Sequence, residues 1–185
     1  MKPTLIPGVV PAFTATRRRL LQTTVAAVGV SAATAWPALA QRVGPVADPF
    51  VWPDITLIDG QVLPASAWRD TAAVLVFWAT HCPFCTRHNA HVEKLHRAAA
   101  GMPLRVLTFS SDTDLKRVQR YRAQHDYTFA ISMVDTEAMR LLLALRRTIP
   151  TTVGITRAGR VGLALPGEMF EEDLLDMQKL ARPPT

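Results

Sequence analysis

Residues 73–85 read Ala-Val-Leu-Val-Phe-Trp-Ala-Thr-His-Cys-Pro-Phe-Cys. The first six form an unbroken apolar run of strand length. An unbroken run, unlike an alternating one, fits a central strand covered on both faces. Cys82 and Cys85, which follow it, are the only cysteines in the chain. Pro83 suits the first turn of a helix, where its missing N–H would have had no partner. A helix is therefore expected from near Cys82-Pro83 to about Ala100, stopped by Gly101 and Pro103. A helix amino terminus offers unpaired N–H groups and a partial positive charge, which favour a thiolate over a thiol. Cys82 is expected to be the better exposed sulfur and the nucleophile. Cys85, one turn in, is placed to resolve a mixed disulfide.

Two other readings of the pair stay open at this point. A structural disulfide would close only a four-residue loop and so would be a weak staple. A metal site would need two more ligands, which His88 and His91 could supply at successive intervals of three. Three-residue steps rotate by about 60° each around a helix, so four such side chains converge poorly. Redox chemistry is the favoured reading.

Working outward, Ile55–Ile58 and Gln61–Leu63 flank Asp59-Gly60 and read as a hairpin on a tight turn. Leu104–Phe109 is a second buried strand. Ser111-Asp112 offers caps for a helix through about Gln124, with Leu115, Val118 and Tyr121 near helical spacing. Thr128–Val134 is a short strand or extended connection, and Thr136–Leu145 is helical. Thr151–Thr156 and Arg160–Leu165 form a hairpin across Ala158-Gly159. Glu168–Leu180 closes as a helix with Phe170, Leu174, Met177 and Leu180 facing inward. Strands alternating with helices, then a hairpin and a helix, make an α/β sandwich around a mixed sheet.

The chain of 185 residues is 49% hydrophobic and 19% charged, which fits one domain with its own core. Its net charge of +6 suggests nucleic acid until its location is considered. Of 21 basic residues, Lys2, Arg17, Arg18 and Arg19 lie in the first 40, which hold no acid; 17 basic against 15 acidic residues remain, a net of +2. That surface has no basic stripe, so no nucleic-acid partner is expected. Residues 16–22 carry the three arginines ahead of Leu20-Leu21. An uncharged run follows from Thr23, ending in Ala38-Leu39-Ala40. A positive region, a moderately apolar stretch and a small-residue exit describe a cleaved export signal over 1–40, and the paired arginines resemble the twin-arginine type. Pro37 and the abundance of Ala, Thr, Ser and Gly argue against a stable span, so none is expected after cleavage. Residues 41–52 read as an extended lead-in and 53–185 as the domain. Export would place the domain in an oxidising periplasm.

The stretch VLVFWATHCPFC, followed by Thr148-Ile149-Pro150-Thr151-Thr152, resembles the thioredoxin superfamily. It is most similar to the exported TlpA/ResA/CcmG-type thiol-disulfide oxidoreductases. Asp54-Ile55-Thr56-Leu57 with Asp59-Gly60, and Thr156–Val161 downstream, extend the likeness over about residues 53–181. The resemblance implies a thioredoxin-like fold with a central mixed sheet flanked by helices and an N-terminal β-hairpin extension. It implies that Pro150 is a cis-proline beside the cysteines, and that the Ile149 backbone pairs with a substrate strand. Phe84, between the cysteines, and His81, directly before them, complete the expected substrate-contacting set.

Departures from the family pattern are informative. His81 stands where Trp is common, and Val76 where thioredoxin itself has a buried Asp. Ala90 replaces a proline that often kinks this helix. His88 stands where this branch has Glu, on the apolar stripe with Cys85, Val92, Leu95 and Ala99. It reads either as a core histidine or as acceptor of the Cys85 proton. His91, His96, Lys116, Arg117, Arg120 and Arg122 receive no role. The expected activity is a periplasmic reductase of protein disulfides, with cytochrome c or metal-centre maturation as candidate settings. It would use a redox-active Cys82–Cys85 disulfide, no organic cofactor, and electrons from a membrane dithiol donor. The rivals are a disulfide oxidase or isomerase, and a copper or zinc metallochaperone using Cys82, Cys85 and His88. No peroxidatic Thr/Ser-x-x-Cys site is present.

Overall fold

The apolar run Ala72–Trp78 is a strand, and none of its seven side chains reaches solvent. The computed structural model describes residues 49–183. The expected export signal over 1–40 and the lead-in as far as residue 48 lie outside the described residues. The elements in chain order are β1 (Ile55–Thr56), β2 (Val62–Leu63), β3 (Ala72–Trp78), α1 (Pro83–Ala98), β4 (Leu104–Ser110) and α2 (Leu115–Gln124). After these come β5 (Ala130–Met133), α3 (Glu137–Ala144), β6 (Thr151–Ile155), β7 (Val161–Pro166) and α4 (Glu171–Asp176). Short 3₁₀ turns occupy Ala65–Trp68 and Met177–Ala181.

The main sheet has the order β5-β4-β3-β6-β7, so the apolar run is its central strand. β3 pairs in parallel with β4, and β4 with β5, across crossovers that carry α1 and α2. β6 runs antiparallel to β3, with Phe77 opposite Thr151, and β7 antiparallel to β6. Side chains of β3 alternate between two cores, as strand geometry requires. Val74, Val76 and Trp78 pack with Cys85, Val92 and Leu95 of α1, Val118 of α2 and Leu174 of α4. Ala73, Leu75 and Phe77 pack with Phe109, Val153 and Ile155, and with Met139 and Leu142 of α3. Burying each such side chain stabilises the fold by about 1.5–3 kcal/mol, which explains why a run with no polar face sits in mid-sheet. The thioredoxin-like sandwich expected from the sequence is the fold observed.

The β1–β2 hairpin turns at Gly60, whose φ of +86° an L side chain rarely adopts. It docks on the free edge of β5. The Ile58 N–H donates to the Ile131 carbonyl at 2.9 Å, and the Ser132 hydroxyl donates to the Thr56 carbonyl at 2.6 Å. The extension thereby covers an edge that would otherwise expose unpaired backbone groups.

Three local expectations need correction. Asp112 does not cap α2; Asp114 does, accepting from the Arg117 N–H at 3.1 Å, because the helix starts two residues later than a cap at Asp112 would require. On α2, Val118 and Tyr121 are buried while Leu115 is exposed. The last helix is shorter than Glu168–Leu180: α4 ends at Asp176 and the chain tightens into the 3₁₀ turn. Phe170 precedes that helix in an extended conformation, so helical spacing does not apply to it, and it stands 76% exposed.

Glu93 is also more than half of a surface ion pair with Arg97. It is nearly buried, and its carboxylate accepts from the Thr128 N–H at 2.8 Å, the Thr128 hydroxyl at 2.5 Å and the Phe129 N–H at 3.3 Å, besides Arg97 Nε at 2.7 Å. Burial raises its pKa, but these donors outweigh it and the pKa is lowered. Glu93→Ala would leave donors at the entrance to β5 unpaired. The expected loss is about 2 kcal/mol, read as an earlier urea midpoint at pH 7. An unchanged midpoint would show that these donors find water instead.

Candidate active site

β3 runs directly into the cysteine loop, and the antiparallel β6 begins at the same end of the sheet. That topology brings Cys82, Cys85 and the Ile149-Pro150 peptide to one edge although about 65 residues separate them. The Ile149-Pro150 bond is cis, as the resemblance implied. The Pro150 carbonyl accepts from the Gly167 N–H at 2.8 Å, which ties this loop to the exit of β7.

Cys82 is the N-cap of α1, with Pro83 in the first turn. Its carbonyl accepts from the Cys85 and Thr86 N–H groups at 3.1 and 3.2 Å, and its sulfur accepts from the Cys85 N–H at 3.2 Å. The sulfur thus occupies the place of a capping oxygen, against the positive end of the helix. Cys82 and Cys85 form a disulfide with their Cα atoms 5.2 Å apart. Cys82 is 9% exposed and Cys85 is fully buried, so of the two only Cys82 retains any solvent contact.

Asp112 sets the approach to this cap, a role that its sequence position did not reveal. Its carboxylate accepts from the Thr80 N–H at 2.8 Å, the Thr80 hydroxyl at 2.7 Å and the Ser110 hydroxyl at 2.7 Å. Desolvation raises its pKa, but those bonds and the nearby His81 outweigh it and the pKa is lowered. His81 is exposed, with Nδ1 3.8 Å from Asp112. An anchored Thr80 on one side and α1 on the other leave the Cys82 loop little freedom. Phe84 is 57% exposed, and the Arg87 guanidinium lies 5.0 Å from its ring centroid. Arg87 also forms a two-bonded pair with Glu168, at 2.8 and 2.6 Å.

His88 is fully buried one turn beyond Cys85. Its Nδ1 accepts from the Met169 N–H at 3.1 Å, which leaves Nε2 to carry the proton of the neutral ring, 3.0 Å from the Thr152 hydroxyl oxygen. Burial, with some help from His91, pushes its pKa down to about 4, against a smaller upward pull from Glu168. His91 reaches the Met169 carbonyl at 3.1 Å and does not join the cysteines. Val76 is buried and puts no carboxylate behind them. Among the described residues no group of three or more His, Cys, Asp or Glu is arranged to hold a metal ion, and no helix is long and apolar enough to cross a membrane.

The Redoxin family model matches residues 45–161. The thiol-disulfide oxidoreductase ResA of Halalkalibacterium halodurans is 26% identical over 143 residues, covering 77% of this chain and 78% of the relative. ResA of Geobacillus thermodenitrificans is 25% identical over 135 residues, covering 73% and 75%. Among solved structures, a thioredoxin-family thiol:disulfide interchange protein from Chlorobium tepidum superposes with a TM-score of 0.64 at 20% identity, over 69% of this chain and 91% of the other. StoA of Bacillus subtilis gives 0.58 at 19%, over 69% and 98%. With its fold, its cysteine pair and this match in agreement, the chain belongs to the redoxin family, as a TlpA/ResA/CcmG-type thiol-disulfide oxidoreductase of the thioredoxin superfamily.

Proposed function

We propose that the protein is a periplasmic reductase of protein disulfides, with Cys82 as nucleophile and Cys85 as resolving residue. The observation that carries this is the Cys82 sulfur on the Cys85 N–H at the start of α1, with Cys82 keeping a small exposed fraction while its partner keeps none. The Cys82 thiolate attacks one sulfur of a substrate disulfide, forming a mixed disulfide and releasing the other sulfur as a thiolate. Deprotonated Cys85 then attacks the Cys82 sulfur. The Cys82–Cys85 bond forms, the bond to substrate breaks, and the second substrate thiol leaves with a proton from water. Two electrons have passed to the substrate, and a membrane dithiol donor restores the pair. No organic cofactor is needed for this cycle.

Pro150 and Ile149 would shape the groove for the substrate strand, with Phe84 and His81 meeting the substrate around Cys82. For His88, the occupied ring nitrogens support a positioning role, holding α1 against β6 through Thr152, over that of proton acceptor. His88→Ala would then lower the exchange rate without moving its pH profile. The direction of electron flow rests on the Pro-Phe pair between the cysteines. It lacks the histidine that stabilises the thiolate in strong oxidants, and a less stabilised thiolate makes a weaker oxidant. Export rests on the twin-arginine-type pattern of residues 1–40.

The reduction potential, measured against glutathione or dithiothreitol with metal content checked first, tests this reading. A reductase should give about −230 mV or lower. A value of about −120 to −180 mV would make it an oxidase or isomerase instead. Stoichiometric metal without a reversible couple would favour a metallochaperone.

A further inference from the structure

Asn89 lies on α1 four residues after Cys85 and is fully buried. Neither its amide oxygen nor its amide nitrogen has a hydrogen-bond partner. Folded proteins rarely leave both ends of a buried carboxamide unpaired, because water has been lost at both and nothing has replaced it.

Helical side chains lean toward the amino terminus, so residue 89 covers the turn that contains Cys85 and Thr86. Thr86 is already engaged, its hydroxyl 2.8 Å from that of Tyr121. The Cys82 sulfur holds the Cys85 N–H. The Cys85 sulfur is the other polarisable group of that turn, fully buried and four residues before Asn89 on α1, a spacing that puts the two side chains on one helix face. In the disulfide it has no hydrogen to donate and is a poor acceptor. Reduction adds two electrons and two protons to the S–S bond, supplied by the dithiol donor, and leaves two thiols. Cys85 then has an S–H for the Asn89 oxygen or, once deprotonated, a thiolate for the Asn89 N–H.

We propose that Asn89 is the hydrogen-bond partner of the Cys85 sulfur in the dithiol state, and that it shifts the redox balance of the pair toward that state. The unpaired carboxamide raises the free energy of the disulfide form, and its pairing lowers that of the dithiol. Both act in the same direction. The inference rests on the Cys82/Cys85 cycle proposed above.

The test equilibrates the full chain and its Asn89→Leu and Asn89→Ala variants with glutathione. Loss of one buried hydrogen bond to sulfur should move the equilibrium toward the disulfide by about tenfold, a potential about 30 mV more negative. In the unaltered protein, the Asn89 side-chain N–H signals should shift in frequency on reduction, as either mode of pairing changes the polarisation of the carboxamide. That measurement stands even if both variants fail to fold. An equilibrium constant unchanged in both variants, or N–H signals indifferent to redox state, would overturn the proposal and point to an internal water as the partner. Absence of a reversible couple in the parent protein would instead overturn the cycle itself.

Discussion

Cys82→Ser should reduce the rate of protein-disulfide reduction to the uncatalysed level, while Cys85→Ser should capture substrate once and stop. Serine keeps an oxygen at the N-cap of α1, a position where it is among the favoured residues. The first variant therefore retains the Cys85 N–H contact and loses the nucleophile and the disulfide it forms. The four-residue loop closed by the disulfide contributes about 2 kcal/mol in the chain-entropy picture. Both cores lie largely beyond it, so both variants should fold. Mass spectrometry of Cys85→Ser with a disulfide substrate should find one substrate covalently held per chain, released by dithiothreitol. Capture by Cys82→Ser instead would reverse the assignment of the two sulfurs.

The second large effect is on acid stability. Unfolded, His88 takes up a proton near its ordinary value of 6.5; folded, it does so only near 4. Between those values the unfolded chain binds more protons, so stability falls as the pH drops through that window. At 1.36 kcal/mol per unit, the full loss is about 3 kcal/mol, nearly all of it above pH 4. His91 and Glu168 are the charged neighbours that modulate it. Glu93 and Asp112, whose carboxyls are held below their ordinary values, lose their stabilisation only at lower pH. Urea unfolding at pH 7 and pH 4.5 should show this slope in the parent, and a slope smaller by about 2–3 kcal/mol in His88→Gln. Equal slopes in the two proteins would mean that His88 is already protonated in the fold.

What could be read from the sequence was local. The apolar run of β3, the proline after Cys82, the Gly101 and Pro103 stop and the two hairpin turns each declare themselves within a few residues. They fixed the sheet, and with it the end at which the cysteines sit. What escaped was set by distant partners. Asp112 looks like a helix cap because it follows a strand and precedes a helix, yet its partner Thr80 lies 32 residues earlier. The partners of His88, Thr152 and Met169, are 64 and 81 residues away, and no period along α1 reveals them. Phe170 was misplaced for a subtler reason: its spacing suits a helix that begins only at Glu171. The cis state of Pro150 was legible only through family likeness, since an X-Pro pair at a strand entry has no local mark of its isomer.

The sheet order has one more consequence. The sulfur chemistry resides on the parallel half, β3-α1-β4, while the proposed groove is carried by β6 and β7, from the other end of the chain. Electron affinity and the Ile149-Pro150 share of partner choice are therefore written in different stretches of sequence. Substitutions in the Ile149-Pro150 loop can change which proteins are gripped while leaving the voltage of the couple alone. Substitutions on the buried face of α1, away from Phe84, can retune the voltage while leaving the grip intact. A scaffold divided in this way can acquire new clients without changing its place in an electron-transfer chain.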